Sequence, residues 1–259
     1  MTIRSKSCMA ALAIGLVLAA TPAKADGTEA KAAFKAMSDF LVAQQAASAK
    51  YDATLEILTA DLLKVGLASS GTLSFQRPDK IRMTRTGGLA DVELAFDGKE
   101  LSAYGKNLNV YGKLPLKGTL DDVVDTLRAE YGLEIPAADL LSSDPNGVMM
   151  ENVTDARALG EGMIHGQMCD HLAFRTDDVD WQIWIAQGDK PFPCRFTITS
   201  KMTVQAPSYS IDFTDWKSGK DVAADDYQLK PAAGAKEISM SELKGLDEVP
   251  QANSQGDAQ

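Results

Sequence analysis

Two cysteines, two histidines and a few acidic pairs are the side chains in the body of this chain whose types and spacing raise the question of chemistry. Cys169 and Cys194 are the only cysteines after Cys8. In an oxidising compartment such a pair ordinarily bonds, and closing a loop of about 25 residues removes roughly 3.5 kcal/mol of unfolded-state entropy. Geometry argues the other way. If the strand at residues 179–186 lies between the two cysteine strands, both cysteines oppose Ala186, about 9.6 Å apart over two strand spacings, beyond disulfide reach. The bond then needs Cys194 to bend over Ala186 from the loop Pro191-Phe192-Pro193, and on compartment and pairing the disulfide Cys169–Cys194 is the expectation. Zinc needs three or four convergent ligands; His165, His171 and Cys169 could form such a set only at the cost of the disulfide, so no metal is expected. No serine sits in a nucleophile-elbow pattern. Asp177-Asp178 and Asp225-Asp226 fit turn and cap roles better than acid–base work. Gly87-Gly88 and Gly160-x-Gly162 lack the strand–helix context of a phosphate cradle. These residues imply no catalytic set and no cofactor.

The elements that must position them are mostly strands. Residues 50–59 alternate Tyr51, Ala53, Leu55 and Ile57 against Asp52, Thr54 and Glu56, the pattern of a half-buried strand. Strands are expected likewise at 65–77, 80–86, 91–96, 100–105, 108–113, 157–164, 166–175, 179–186, 194–203 and 208–216, with a short one at 227–229. Pro78-Asp79 marks a corner and Asp97-Gly98 a hairpin. Helical periodicity covers residues 28–45 through Ala30, Phe34, Met37 and Leu41. It returns at 119–130, where Thr119 is the expected N-cap and Asp121 and Asp122 suit the helix dipole. Shorter helical turns are expected at 136–141, 147–153 and 239–243. Alternation on nearly every strand implies an antiparallel sheet covered on one face, and the helices are too few for βαβ units. The expected fold is α+β and mainly β: an unclosed antiparallel half-barrel of about ten strands, capped by helices.

The ends and the charge bound the setting. Arg4 and Lys6 precede an apolar run from Met9 to Ala20, too short to span a bilayer, and Ala23-Lys24-Ala25 is a cleavage signal. Residues 1–25 therefore read as a secretory signal, residues 26–248 as a single domain, and residues 249–259 as a polar, disordered tail. The expected location is the periplasm. The chain carries a formal net charge of −10, more negative once Arg4, Lys6 and Lys24 are removed, and so repels nucleic acid and anionic membrane surfaces. No transmembrane segment is expected in the mature chain, which reads as a monomer.

The run G-T-L-S-F-Q-R-P-D-K-I-R from Gly71, followed by D-G-K-E-L-S-A-Y from Asp97, resembles the LolA/LolB-like lipoprotein-carrier superfamily. The later segments C-D-H-L-A-F-R, D-W-Q-I-W-I, P-F-P-C-R-F-T-I-T and F-T-D-W are similar to a narrower family of predicted periplasmic proteins within it. The resemblance spans residues 28–240. It implies a helix-capped half-barrel whose apolar concave face takes acyl chains, and for Arg77 it implies a latch that holds the cap shut through backbone carbonyls. Read from residues alone, a strand-end arginine facing water is the ordinary case for Arg77. A concave face would draw on Leu55, Ile57, Phe75, Met83, Leu94, Phe96, Tyr104, Tyr111, Phe174, Trp181, Ile183, Phe196, Ile198 and Phe213, while Trp184 falls on the opposite face. Two functions follow as expectations. One is a non-enzymatic carrier or sensor holding a lipid, acyl chain or lipidated peptide. The other is a scaffold with a filled core that binds a periplasmic protein partner.

Overall fold

The structure is a computed structural model describing residues 27–59, 61–87, 91–132, 135, 137–202 and 206–243. The cleavage signal and the polar tail lie outside these residues. The chain begins with α1 (Gly27–Ala43), whose buried side chains Ala30, Phe34, Met37, Ser38 and Leu41 form one stripe at helical spacing. The buried Ser38 hydroxyl donates to Phe34 O at 2.9 Å, so the stripe carries no unsatisfied polar group there.

Eleven strands follow in antiparallel pairings: β1 (Ala46–Leu58), β2 (Lys64–Gln76), β3 (Lys80–Gly87), β4 (Val92–Phe96), β5 (Glu100–Gly105), β6 (Val110–Pro115), β7 (Asp155–Ile164), β8 (Gln167–Arg175), β9 (Val179–Ala186), β10 (Pro193–Ser200) and β11 (Ser208–Ser218). A two-residue β12 (Lys236–Glu237) joins β6 in parallel. The order β12-β6-β5-β4-β3-β2-β1-β11-β10-β9-β8-β7 leaves β12 and β7 as the two edges of one unclosed sheet. Among the described residues the strands number twelve, and β1 to β11 correspond to the eleven longer strands expected. β1 begins four residues early, because the weak strand formers Ala46 to Ala49 are paired with Leu73 to Gln76, an override of propensity by tertiary pairing. Tyr227 is no strand residue: its φ of 56° turns the chain.

Between β6 and β7 lie α2 (Leu120–Tyr131), a 3-10 turn at Ala138–Leu141 and α3 (Pro145–Met150). Thr119 and Asp122 close a capping box at the start of α2, and Gly132 ends it in the left-handed conformation. After β11 the chain runs as a strap over the outer face of the sheet. Tyr227 is buried there and its hydroxyl lies 3.3 Å from Ser74 Oγ. Arg82 joins the strap through Asp225 (2.6 Å) and Gln228 O (2.9 Å), and also binds Glu93. Beyond β12 the strap wraps round the sheet edge, and Met240 and Leu243 pack on the inner face against Gly112. A Cβ on Gly112 would lie 2.8 Å from Leu243 and 3.1 Å from Met240, so the close approach requires glycine.

Candidate functional site

The inner face is set by alternation on each strand. Leu55, Ile57, Phe75, Met83, Leu94, Phe96, Phe174, Trp181, Ile183, Phe196, Ile198 and Phe213 all join the main hydrophobic core. Tyr104 and Tyr111 do not. The ladder pairs Tyr104 with Glu93 and with Tyr111, and Glu93 with Thr84, on the outer face. Their hydroxyls donate to Asn109 (2.6 Å) and Glu237 (3.0 Å). The alternation of this short segment fits either face, and its partners across the ladder decide which.

Most of the inner face is filled. Phe34 of α1 wedges against Trp181 and Phe174, with ring centroids 5.2 and 5.6 Å apart, and Phe174 stacks on Trp181 at 4.1 Å. Beside the 3-10 turn lies an apolar cavity of about 30 Å³. Of the expected lining residues, only Met83 and Phe213 reach it. Tyr51, Leu73 and Ile211 line its floor, Leu41 and Pro193 its side, and Ile135, Ala137, Ala138, Leu140 and Leu141 its cover. Tyr51, Leu73 and Ile211 share the alternation of the expected set. The cover residues come from an aperiodic segment and carry no such signal. Trp216 also lines the cavity, although it is even-numbered where Phe213 and Ile211 are odd. Asp215 has φ 54° and the β1–β11 register shifts there, which turns Trp216 inward. Its ring then stacks on Phe192 at 4.5 Å and its Nε1 donates to Pro193 O at 2.9 Å.

Arg77 stands at the end of β2, next to this cover. Its backbone N–H donates to Gln45 O at 2.9 Å, and the Arg77–Pro78 peptide is cis. Pro78 O in turn accepts from the backbone of Leu120, at the start of α2. The Arg77 guanidinium donates from Nη1 to Leu141 O at 2.8 Å, and its Cζ lies 5.4 Å from the centre of the Phe75 ring. Nε and Nη2 are buried and have no hydrogen-bond partner among the described residues. Burial pulls the guanidinium below its ordinary pKa, opposed by the charge of Asp121. Asp121 itself accepts from Ser143 N–H at 2.9 Å. Arg77 is therefore half-buried and not a solvated strand end, and it joins the sheet to the segment that covers the cavity.

The outer face carries the remaining polar chemistry. The cysteines form a disulfide with a Cα–Cα separation of 6.8 Å. Pro193 pairs with Ile185 and Arg195 with Trp184, so Cys194 is the extra residue of a bulge. The bulge bends Cys194 over Ala186 and closes the gap that regular strand spacing would leave. Beside the disulfide, His171 stacks on Trp184 at 4.0 Å and bonds Gln182 at 2.8 Å, and Arg195 lies 5.6 Å over the Trp184 ring. Arg195 also grips Asp212, which accepts a second bond from His165 at 2.9 Å. Each histidine thus has a side-chain partner other than a metal-ligand set, and no group of three or more His, Cys, Asp or Glu side chains among the described residues could hold a metal ion. Among the described residues no helix is long and apolar enough to cross a membrane.

An unclosed antiparallel sheet, helices on its apolar inner face and a cavity under an irregular cover define a helix-capped half-barrel. Residues 30–241 match the family described as "Predicted periplasmic protein (DUF2092)", and the chain belongs to that family. No curated protein matches the sequence. Among solved structures the chain is similar to the Mycobacterium tuberculosis lipoprotein LppX, at 14% identity and TM-score 0.45 over 77% of this chain and 100% of that one. It is also similar to a chain of the Pseudomonas aeruginosa MucA/MucB complex, at 13% identity and TM-score 0.43, over 78% of this chain and 61% of that one. A LolA superfamily protein from Nitrosomonas europaea matches at 10% identity and TM-score 0.37, over 77% of this chain and 99% of that one.

Proposed function

We propose that this protein is a non-enzymatic periplasmic carrier or sensor that holds the acyl chain of a lipid or lipidated peptide on its inner face, and that the structure is its closed state. One observation carries the reading: the apolar cavity lies directly beneath the segment that Arg77 ties down through Leu141 O. A cavity of about 30 Å³ holds no acyl chain, so binding requires the cover at residues 137–144 to move. That cover is a single 3-10 turn and its flanks, which slide off more readily than a packed α-helix. Its withdrawal takes Leu140 and Leu141 from the floor formed by Tyr51, Leu73, Met83, Ile211 and Phe213. Re-exposing two leucines costs about 3–6 kcal/mol. An acyl chain burying about ten methylenes returns roughly 8 kcal/mol gross. The exchange is favourable for a long chain and unfavourable for a short one, which is how a closed apolar site selects long ligands. Arg77 is the latch in this reading.

The fullness of the inner face supports a second reading, a scaffold that binds a protein partner with no lipid. Solvent extraction and mass spectrometry of protein purified from periplasm separates the two. Co-purifying acyl chains, and uptake of a fluorescent fatty acid after delipidation, are the expected results. A stable crosslinked protein partner, with no lipid bound or taken up, favours the scaffold.

A further inference from the structure

We propose that the Nε–Nη2 edge of Arg77 is a head-group site, and that it takes the carboxylate of a single-chain anionic amphiphile. The inference rests on the lipid-carrier reading above and names the ligand class. A guanidinium presents its donors in a planar fork, and two parallel N–H groups on one edge match the two oxygens of a carboxylate. In the closed state Nη1 is already spent on Leu141 O. Nε and Nη2, the two donors of the adjoining edge, are buried without a hydrogen-bond acceptor among the described residues. Buried donors are almost always satisfied, so two vacant ones on the same edge of one arginine mark a place where an acceptor belongs.

The surroundings fit a bidentate anion. The guanidinium carbon lies over the Phe75 ring, 5.4 Å from its centre, so the charge sits against an apolar neighbour. Asp121, the nearby carboxylate whose charge acts on Arg77, is engaged with Ser143 N–H. Asp121 also offsets part of the positive charge, which favours a monoanion over a phosphate dianion. Leu73, Phe75 and Arg77 lie on alternate positions of one strand end, and Leu73 is part of the cavity floor. A head at Arg77 therefore directs its chain along β2 towards Leu73 and Met83. The edge is buried beside the cover, so the movement that bares the floor also bares the fork. The acid then satisfies the two donors that the closed state leaves unused.

The test is calorimetric titration of delipidated full-length protein with oleate and with oleyl alcohol, which share a chain and differ in head group. Wild type is expected to bind oleate at least tenfold more tightly. Arg77→Gln should bind the two alike, whatever the loosened cover does to both affinities, and Arg77→Lys should fall between, as a point charge without a fork. Equal wild-type affinities, or a preference that survives in Arg77→Gln, overturn the head-group site and leave the carrier reading standing. Binding of neither probe by wild type removes both. Circular dichroism and thermal melting establish that the variants fold. A wild-type measurement stands independently of them: the carboxyl carbon of bound ¹³C-labelled oleate should titrate below the ordinary carboxylate range, and titration above that range overturns the site.

Discussion

Tyr51 reaches across Gly71. The two residues oppose each other on β1 and β2, and the Tyr51 hydroxyl passes over the β2 backbone to donate to Thr84 O on β3 at 2.8 Å. A Cβ on Gly71 would lie 1.9 Å from Thr84 O and 2.6 Å from the Tyr51 ring and hydroxyl. The hydrogen bond thus ties three strands through a gap that only glycine leaves, at the floor of the cavity.

Gly71→Ala must therefore separate β2 from β3 or evict Tyr51, since the nearest obstacle is backbone and cannot turn aside. It is expected to lower stability by about 3 kcal/mol, the scale of severe overpacking. Tyr51→Phe removes only the hydrogen bond and should cost about 1–1.5 kcal/mol. Urea unfolding checks both. A Gly71→Ala midpoint equal to wild type would show that the gap is not required.

The bulge at Cys194 makes the disulfide possible, and its loop has a sequence separation of 25. The paired variant Cys169→Ser with Cys194→Ser should lose roughly 3.5 kcal/mol by the loop-entropy estimate. Wild type measured in the presence of reductant should match it. Free thiols at both positions in unreduced periplasmic protein would sink the bond itself.

Burial alone would raise the Asp212 carboxyl, but its hydrogen bonds to Arg195 and His165 outweigh burial and hold it below the usual value. A carboxyl depressed in the fold adds stability that is complete above its unfolded pKa and lost as pH falls through the folded one. The stability gap between wild type and Asp212→Asn should therefore be largest near neutrality and shrink as pH drops from about 5 to about 3. Denaturant midpoints across that range would contradict this if the gap were constant or widened.

Arg82 is the hinge pin of the outer strap, shared among Glu93, Asp225 and Gln228 O at about one-fifth side-chain exposure. Its removal leaves the part-buried Asp225 without its cation and Glu93 with Lys106 alone, at 3.4 Å. Arg82→Ala is expected to cost about 2–3 kcal/mol, short of the loss for a fully buried pair, and to make residues 222–235 the first site of limited proteolysis. Cleavage at wild-type rate would mean that the strap is held by Tyr227 and β12 alone.

Much of this architecture is carried by local pattern. Period-two alternation places the strands and assigns Leu55, Phe75, Met83, Trp181 and Phe213 to the inner face, because burying one face of a pleated sheet requires it. Helical spacing marks the stripe of α1, and Thr119 announces the start of α2. The R-P corner singles out Arg77. Pattern cannot see a residue that slips out of register. The bulges at Asp215 and Cys194 turn Trp216 inward and bring the cysteines within bonding distance. It cannot tell one face from the other where both sides of a strand are covered, so Tyr104 and Tyr111 are placed only by their partners across the ladder. Nor does it show that Phe34 fills the half of the face beneath Trp181, or that Leu140 and Leu141 cover the rest. These are contacts between segments distant in the chain. The sequence by itself determines which side chains are apolar and how often they recur. The tertiary structure decides which of them meet, and with that it fills most of a concave face, with two of the Arg77 nitrogen donors buried beside the cavity's cover and without a hydrogen-bond partner among the described residues.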